Sequence, residues 1–177
     1  EFINKIDIVT RIKVSHFPKR YLLETADKHN PSIFFGGKIE HETLDEVDNK
    51  IIAELNKNGR EKITNIASKI KLPHSTILAR LKKLKNDGII TGNFAWIEPQ
   101  SYGYESYNLI IRAGHLDEVQ ERKLVQFCER HPHITWCIKT LGLWDYELGV
   151  ETENQKILQE VISELKEEMG SVIQRVE

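Results

Sequence analysis

The chain has 177 residues, 40% of them hydrophobic, and a net charge of −2. It is long enough for one large or two small domains. No apolar run approaches the ~18 residues of a membrane span and no signal peptide opens it, so a cytoplasmic setting without membrane contact is expected. Charge is unevenly spread: residues 58–93 hold eight Lys/Arg against two Asp/Glu, and residues 98–177 hold eight against fifteen.

Residues 3–14 (INKIDIVTRIKV) are rich in β-branched side chains and partly alternate, which predicts a strand ended by Pro18. Residues 25–38 carry Pro31 and the Gly36-Gly37 pair and read as a linker. Helical patterning begins with LDEVDNKIIAELNKNG, where Leu44, Val47, Ile51, Ile52 and Leu55 form one apolar stripe that Gly59 closes. Residues 63–70 make a shorter helix with Ile63, Ile66, Ala67 and Ile70 on one face. A third helix lies within LPHSTILARLKKLKNDGII, residues 72–90, and residues 89–97 predict a small extended wing or connecting strand ended by Pro99.

The rhythm then changes. Residues 107–113 are strand-like and residues 117–130 helix-like, with Val119, Leu124, Phe127 and Cys128 apolar. Residues 134–141 and 144–150 are two strands split by Gly142-Leu143. Residues 155–169 are an amphipathic helix, stopped by Gly170, and residues 171–177 begin another strand. The order βαββαβ predicts a ferredoxin-like sandwich. The fold class is therefore α+β: a winged helix-turn-helix over residues 44–98, a ferredoxin-like sandwich over 99–177, and an extra N-terminal strand. That extension, residues 1–23, is expected to pair into a sandwich sheet of this chain or of a partner, with residues 24–43 as linker.

Chemistry concentrates on the third helix. At ~100° per residue, Ile77, Leu81 and Leu84 fall together and must face the core. The opposite side carries Ser75, Thr76, Ala79, Lys82 and Lys83, with His74 at the start and Arg80 on the flank. Small residues let a helix approach the floor of a DNA major groove, hydroxyls bond base edges or phosphate oxygens, and cations pair with phosphates. A basic helix that is merely solvated usually carries acids at i,i+4, yet Asp87 is the only acid between Lys62 and Glu98. Double-stranded DNA is the expected partner.

LDEVDNKIIAELNKNGREKITNIASKIKLPHSTILARLKKLKNDGIITG resembles the DNA-binding half of the leucine-responsive/asparagine-regulator (Lrp/AsnC) family, and the βαββαβ unit with TLGLWDYELGV resembles its effector-binding and oligomerising half. The resemblance covers residues 44–177. It implies a transcription regulator that binds DNA as a homodimer or larger homo-oligomer and responds to an amino acid or a related small molecule. Ser75 and Thr76 match the family's hydroxyl pair at the start of the recognition helix, and Arg80, Lys82 and Lys83 its basic positions. The chain departs from the pattern at Lys71, where a turn glycine is usual; at Ala79, where arginine is frequent; and at Pro73, which replaces a capping hydroxyl. The resemblance also implies an effector pocket lined by Thr140, Gly142, Leu143, Trp144 and Asp145. Read without it, the same loop is a tight hairpin, with Asp145 bonding local backbone and Trp144 filling core.

Other constellations are weaker. His115, His131, His133 and Cys137 lack the paired spacing of a structural zinc site, so neither a metal nor another cofactor is expected. Cys128 and Cys137 fall on apolar faces, as buried structural thiols do, and two cysteines fit a reducing compartment. Some proteins of this two-domain plan are decarboxylases of sirohaem-type tetrapyrroles, rich in His and Arg after the wing. Here residues 92–113 contain Arg112 alone, so no enzyme is expected. An effector-independent DNA-organising protein is the third class. DIVTRIKVSHFP resembles the closing strand and tail of a sandwich domain in tandem members of the family, so the chain reads as a segment of a longer or rearranged tandem protein, with an ordinary N-terminal strand extension as the alternative.

Overall fold

Asp45 starts the helical part of the chain. Its carboxylate accepts the Asp48 backbone N–H at 2.9 Å, and the Asp48 side chain reaches back to the Asp45 N–H at 3.4 Å. This capping box fixes the first turn of α1 (Glu46–Lys57). Next comes α2 (Ile63–Ile70), which ends on Lys71 at φ 61° and ψ 42°. Lys71 is the only non-glycine residue with positive φ among those described. A left-handed L-residue costs about 1–2 kcal/mol, so the lysine sits under strain at the turn where glycine is usual. After Pro73, which makes no side-chain cap, comes α3 (His74–Asn86). Ile51, Ile66, Ala67, Ile77 and Leu84 are buried together, with Leu44, Val47, Leu55, Ile63 and Leu81 packed around them.

The structure, a computed structural model, describes residues 7–22, 32–36 and 42–177. It divides into two units, Lys38–Ala95 and the combination of Glu1–Gly37 with Trp96–Glu177. At the end of α3 the chain turns at Gly88, φ 70°, and the Ile89 and Ile90 N–H groups both donate to Leu84 O, at 2.9 and 3.0 Å. The wing strand expected over residues 89–97 does not form; residues 91–98 carry no regular structure. A ladder needs a neighbouring strand to take its backbone bonds, and the three helices of this unit supply none.

The other unit contains β1 (Thr10–His16), β2 (Ile33–Gly36), β3 (Glu105–Ala113), α4 (Glu118–Arg130), β4 (Ile134–Leu141), β5 (Tyr146–Thr152), α5 (Gln155–Met169) and β6 (Ile173–Val176). The six strands form one antiparallel sheet in the order β2-β1-β4-β5-β3-β6. The last four positions are the ferredoxin-like arrangement. Leu124, Phe127 and Cys128 of α4 and Leu158, Val161 and Leu165 of α5 meet Leu109, Ile111, Ile134, Leu148 and Val150 of the sheet in one buried cluster. Asp117 and Asn154 cap the two helices through side-chain oxygens.

The N-terminal strand lies along β4 with Val14 opposite Ile138 and His16 opposite Trp136. It runs two residues past Val14, while residues 1–6 fall outside the described part. The presumed linker 25–38 holds a strand of its own, β2, paired to β1. Ile33, Phe34 and Phe35 have the composition a sheet accepts. Gly36, at φ 84°, ends the strand where a Cβ would lie 2.4 Å from Ile12 O, so only glycine allows the close approach.

Candidate nucleic-acid interface

α3 has two unlike sides. Ile77 and Leu84 are buried, and Leu81 and Arg80 are half-buried. The opposite side presents His74, Ser75, Ala79, Lys82 and Lys83 exposed, with Thr76 half-buried at its margin. Lys83 stands 3.8 Å from Asp87, one turn on, whereas Lys82 and Lys85 have no acidic partner among the described residues. Six of the seven residues singled out from sequence thus share or border one open surface.

Arg80 is held differently. Its guanidinium bonds the Asp45 carboxylate and lies 3.3 Å from both carboxylate oxygens of Asp48, whose side chain is 2% exposed. The Asp48 backbone N–H, and then Arg80, hold the Asp45 carboxyl below the usual carboxylate range. The contact ties α3 to the first turn of α1. It joins residues 35 apart in sequence, a separation that helical periodicity cannot reveal. Two further residues complete the open face: Lys85, exposed, and Leu78, 49% exposed. The helical projection carries the missed signal, since it sets Leu78 about 90° from the centre of the buried stripe.

The loop between β4 and β5 is closed by its own bonds. Thr140 donates from Oγ1 to Trp144 O at 2.6 Å and from its backbone to Asp145 O at 2.8 Å. Asp145 Oδ2 accepts the Ala113 N–H at 2.8 Å, and the Asp145 N–H donates to Ile111 O at 3.0 Å. Trp144 Nε1 donates to Glu147 Oε1 at 2.9 Å. Gly142 takes φ +144°, and a Cβ there would lie 2.9 Å from Ile8 O and 3.2 Å from the Val9 Cα. The N-terminal segment therefore passes against the Gly142 backbone. Leu143 is exposed and engages none of these bonds.

The histidines serve the sandwich. His131 Nε2 lies 3.3 Å from Glu164, its Nδ1 accepts the His133 N–H at 3.2 Å, and His133 Nδ1 is 2.9 Å from Glu151 O. No group of three or more His, Cys, Asp or Glu among the described residues could hold a metal ion. Cys128 and Cys137 are both buried, and burial pushes the Cys128 thiol up, away from the reactive thiolate.

Residues 44–91 match a family of winged helix-turn-helix DNA-binding domains. Over 118 residues the chain is 33% identical to the HTH-type transcriptional regulator FL11 of Pyrococcus furiosus, covering 65% of this chain and 75% of that one. Over 129 residues it is 29% identical to the proline dehydrogenase transcriptional activator of Rhodobacter capsulatus, covering 69% and 82%. A transcriptional regulator of Neisseria meningitidis, solved with L-Met, has the same fold, with a TM-score of 0.62 at 23% identity, covering 76% and 87%. E. coli AsnC also shares it, with a TM-score of 0.60 at 24% identity, covering 77% and 90%.

Proposed function

Since the chain belongs to the Lrp/AsnC family of helix-turn-helix transcription regulators, we propose that it reads DNA sequence through the open face of α3, as a homodimer or larger, under the control of an amino acid. Its role is DNA binding in transcription control, not catalysis. The observation that carries the reading is the gathering, on one face, of the Ser75 hydroxyl, the Ala79 methyl and two lysines, Lys82 and Lys83, on a helix whose other side is fixed in the core. Lys82 and Lys83 neutralise phosphates. Ser75 and Thr76 bond base edges or phosphate oxygens, Ala79 lets the helix come close, and His74 contacts the backbone at the helix start. Arg80 is a positioning residue that holds α3 against α1.

Effector control is supported by the L-Met bound to the Neisseria relative. The candidate site is the Thr140, Gly142, Leu143, Trp144 and Asp145 loop. A ligand that uses the Gly142 backbone competes with Ile8 and Val9, which lie against it. Those residues lead directly into β1, so effector binding acts on the N-terminal strand.

Selection of bound duplexes from a random pool, followed by titration of the selected and a random duplex, tests the DNA reading. Lys82→Ala and Lys83→Ala are expected to weaken both duplexes alike and each to reduce the salt slope by about one. Ser75→Ala and Thr76→Ala are expected to change the preference between duplexes. Unchanged binding in all four variants contradicts the assignment.

A further inference from the structure

The open face of α3 contains one residue that neither phosphate binding nor hydrogen-bonded readout explains. Leu78 is 49% exposed, although its neighbours Ile77 and Leu84 are at 0% and 1%. It is not a stray from the core stripe, for it points about 90° from it. Ser75 lies one turn before it and Lys82 one turn after, and Ala79, the next residue along the chain, is also exposed. Between the hydroxyls at the helix start and the lysines further along, the open surface therefore carries two exposed apolar residues, Leu78 and Ala79.

We propose that Leu78, with Ala79, recognises the C5-methyl group of thymine in the major groove, and so sets part of the sequence preference. This rests on α3 being the groove-reading helix. The major-groove edge of an A·T pair offers one apolar group, the thymine methyl, and apolar side chains are its natural partner. Entry of α3 into the groove strips water from Leu78 whatever lies opposite. Opposite a thymine methyl, that dehydration is matched by contact with another apolar group. Opposite cytosine the same place in the groove holds only a ring C5–H, so Leu78 is dehydrated without that apolar contact. Leu78 and Ala79 therefore favour thymine over cytosine at the contacted position without a hydrogen bond.

The test uses the full chain and a duplex selected by the wild type. Each thymine of the selected site is replaced singly by deoxyuridine, which deletes the methyl and leaves the O4 acceptor and backbone charge in place. Wild type is expected to lose about five- to tenfold in affinity at one or two positions and nothing elsewhere. Leu78→Ala is expected to bind thymine and uracil duplexes equally at those positions, with an unchanged salt slope because no phosphate contact is lost. Leu78→Met, which keeps the apolar reach, should retain the discrimination. Wild-type indifference to uracil at every position, or full discrimination in Leu78→Ala, overturns the proposal while leaving specific DNA binding intact. A failure to select any duplex removes the groove-reading assignment itself, and this proposal with it.

Discussion

Arg80 carries the sharpest lesson at the scale of single residues. Its place in a basic stretch suggests a phosphate contact, yet its guanidinium sits on Asp45 and on the almost fully buried Asp48. Removing one partner of a buried pair leaves the other charge without compensation, a loss of 3–5 kcal/mol when both partners are buried. Arg80 is itself 34% exposed, so Arg80→Ala is expected to destabilise the helical unit by less than the loss of a fully buried pair would. Its effect should be strongly non-additive with Asp48→Asn, because the second change removes the charge that the first exposes. DNA affinity should fall equally for all sequences, with the salt slope kept. Denaturant titration of the two single variants and the double variant checks this. Additive losses, or a salt slope reduced as in Lys82→Ala, would make Arg80 a phosphate contact.

The elements show how the N-terminal segment becomes part of the sandwich. β1 covers the edge of β4, Phe17 donates its N–H to Thr135 O at 2.8 Å and joins the core, and Lys19 binds both carboxylate oxygens of Glu151, at 2.7 and 2.8 Å. Lys19 also donates to Ile97 O at 3.0 Å, so one side chain from before the helical unit grips the chain that emerges after it. Tyr21 stacks on Tyr104 at 4.5 Å and bonds Glu151; burial, and then that carboxylate, push its phenol up. Deleting residues 1–17 should lower the melting temperature of the sandwich by about 5–10 °C and leave the helical unit folded. An unchanged melt would mean that the strand adds nothing to the sheet. Much of this architecture was readable from local pattern: the three helices, the βαββαβ order and the inner and outer faces of α3 all follow from periodicities of 3.6 and 2. The unread parts depend on partners far away in sequence. β2 exists because β1 lies beside it, residues 89–97 stay out of a ladder because no strand does, and Gly142 meets Ile8 across more than 130 residues. The candidate DNA face was legible except for Lys85 and Leu78, the second disguised by its apolar character.

At the scale of the molecule, charge follows the division into units. The stretch containing α2 and α3 is basic, while the stretch from β3 onward is acidic, with fifteen Asp/Glu against eight Lys/Arg between residues 98 and 177. A basic module is drawn to a polyanion and an acidic one is repelled by it, so the charge distribution favours the helical unit as the side that meets DNA. Reading two half-sites requires two recognition helices, so light scattering at micromolar concentration should give at least a dimer. A strict monomer would contradict that assembly. The most direct test of the whole account is affinity for a selected and a random duplex, measured across a series of salt concentrations. A DNA-reading α3 gives a linear fall of log affinity with log salt for both duplexes and a selected duplex bound at least about 10³-fold more tightly at physiological salt. Equal affinity for the two duplexes, or binding that salt does not weaken, would contradict it.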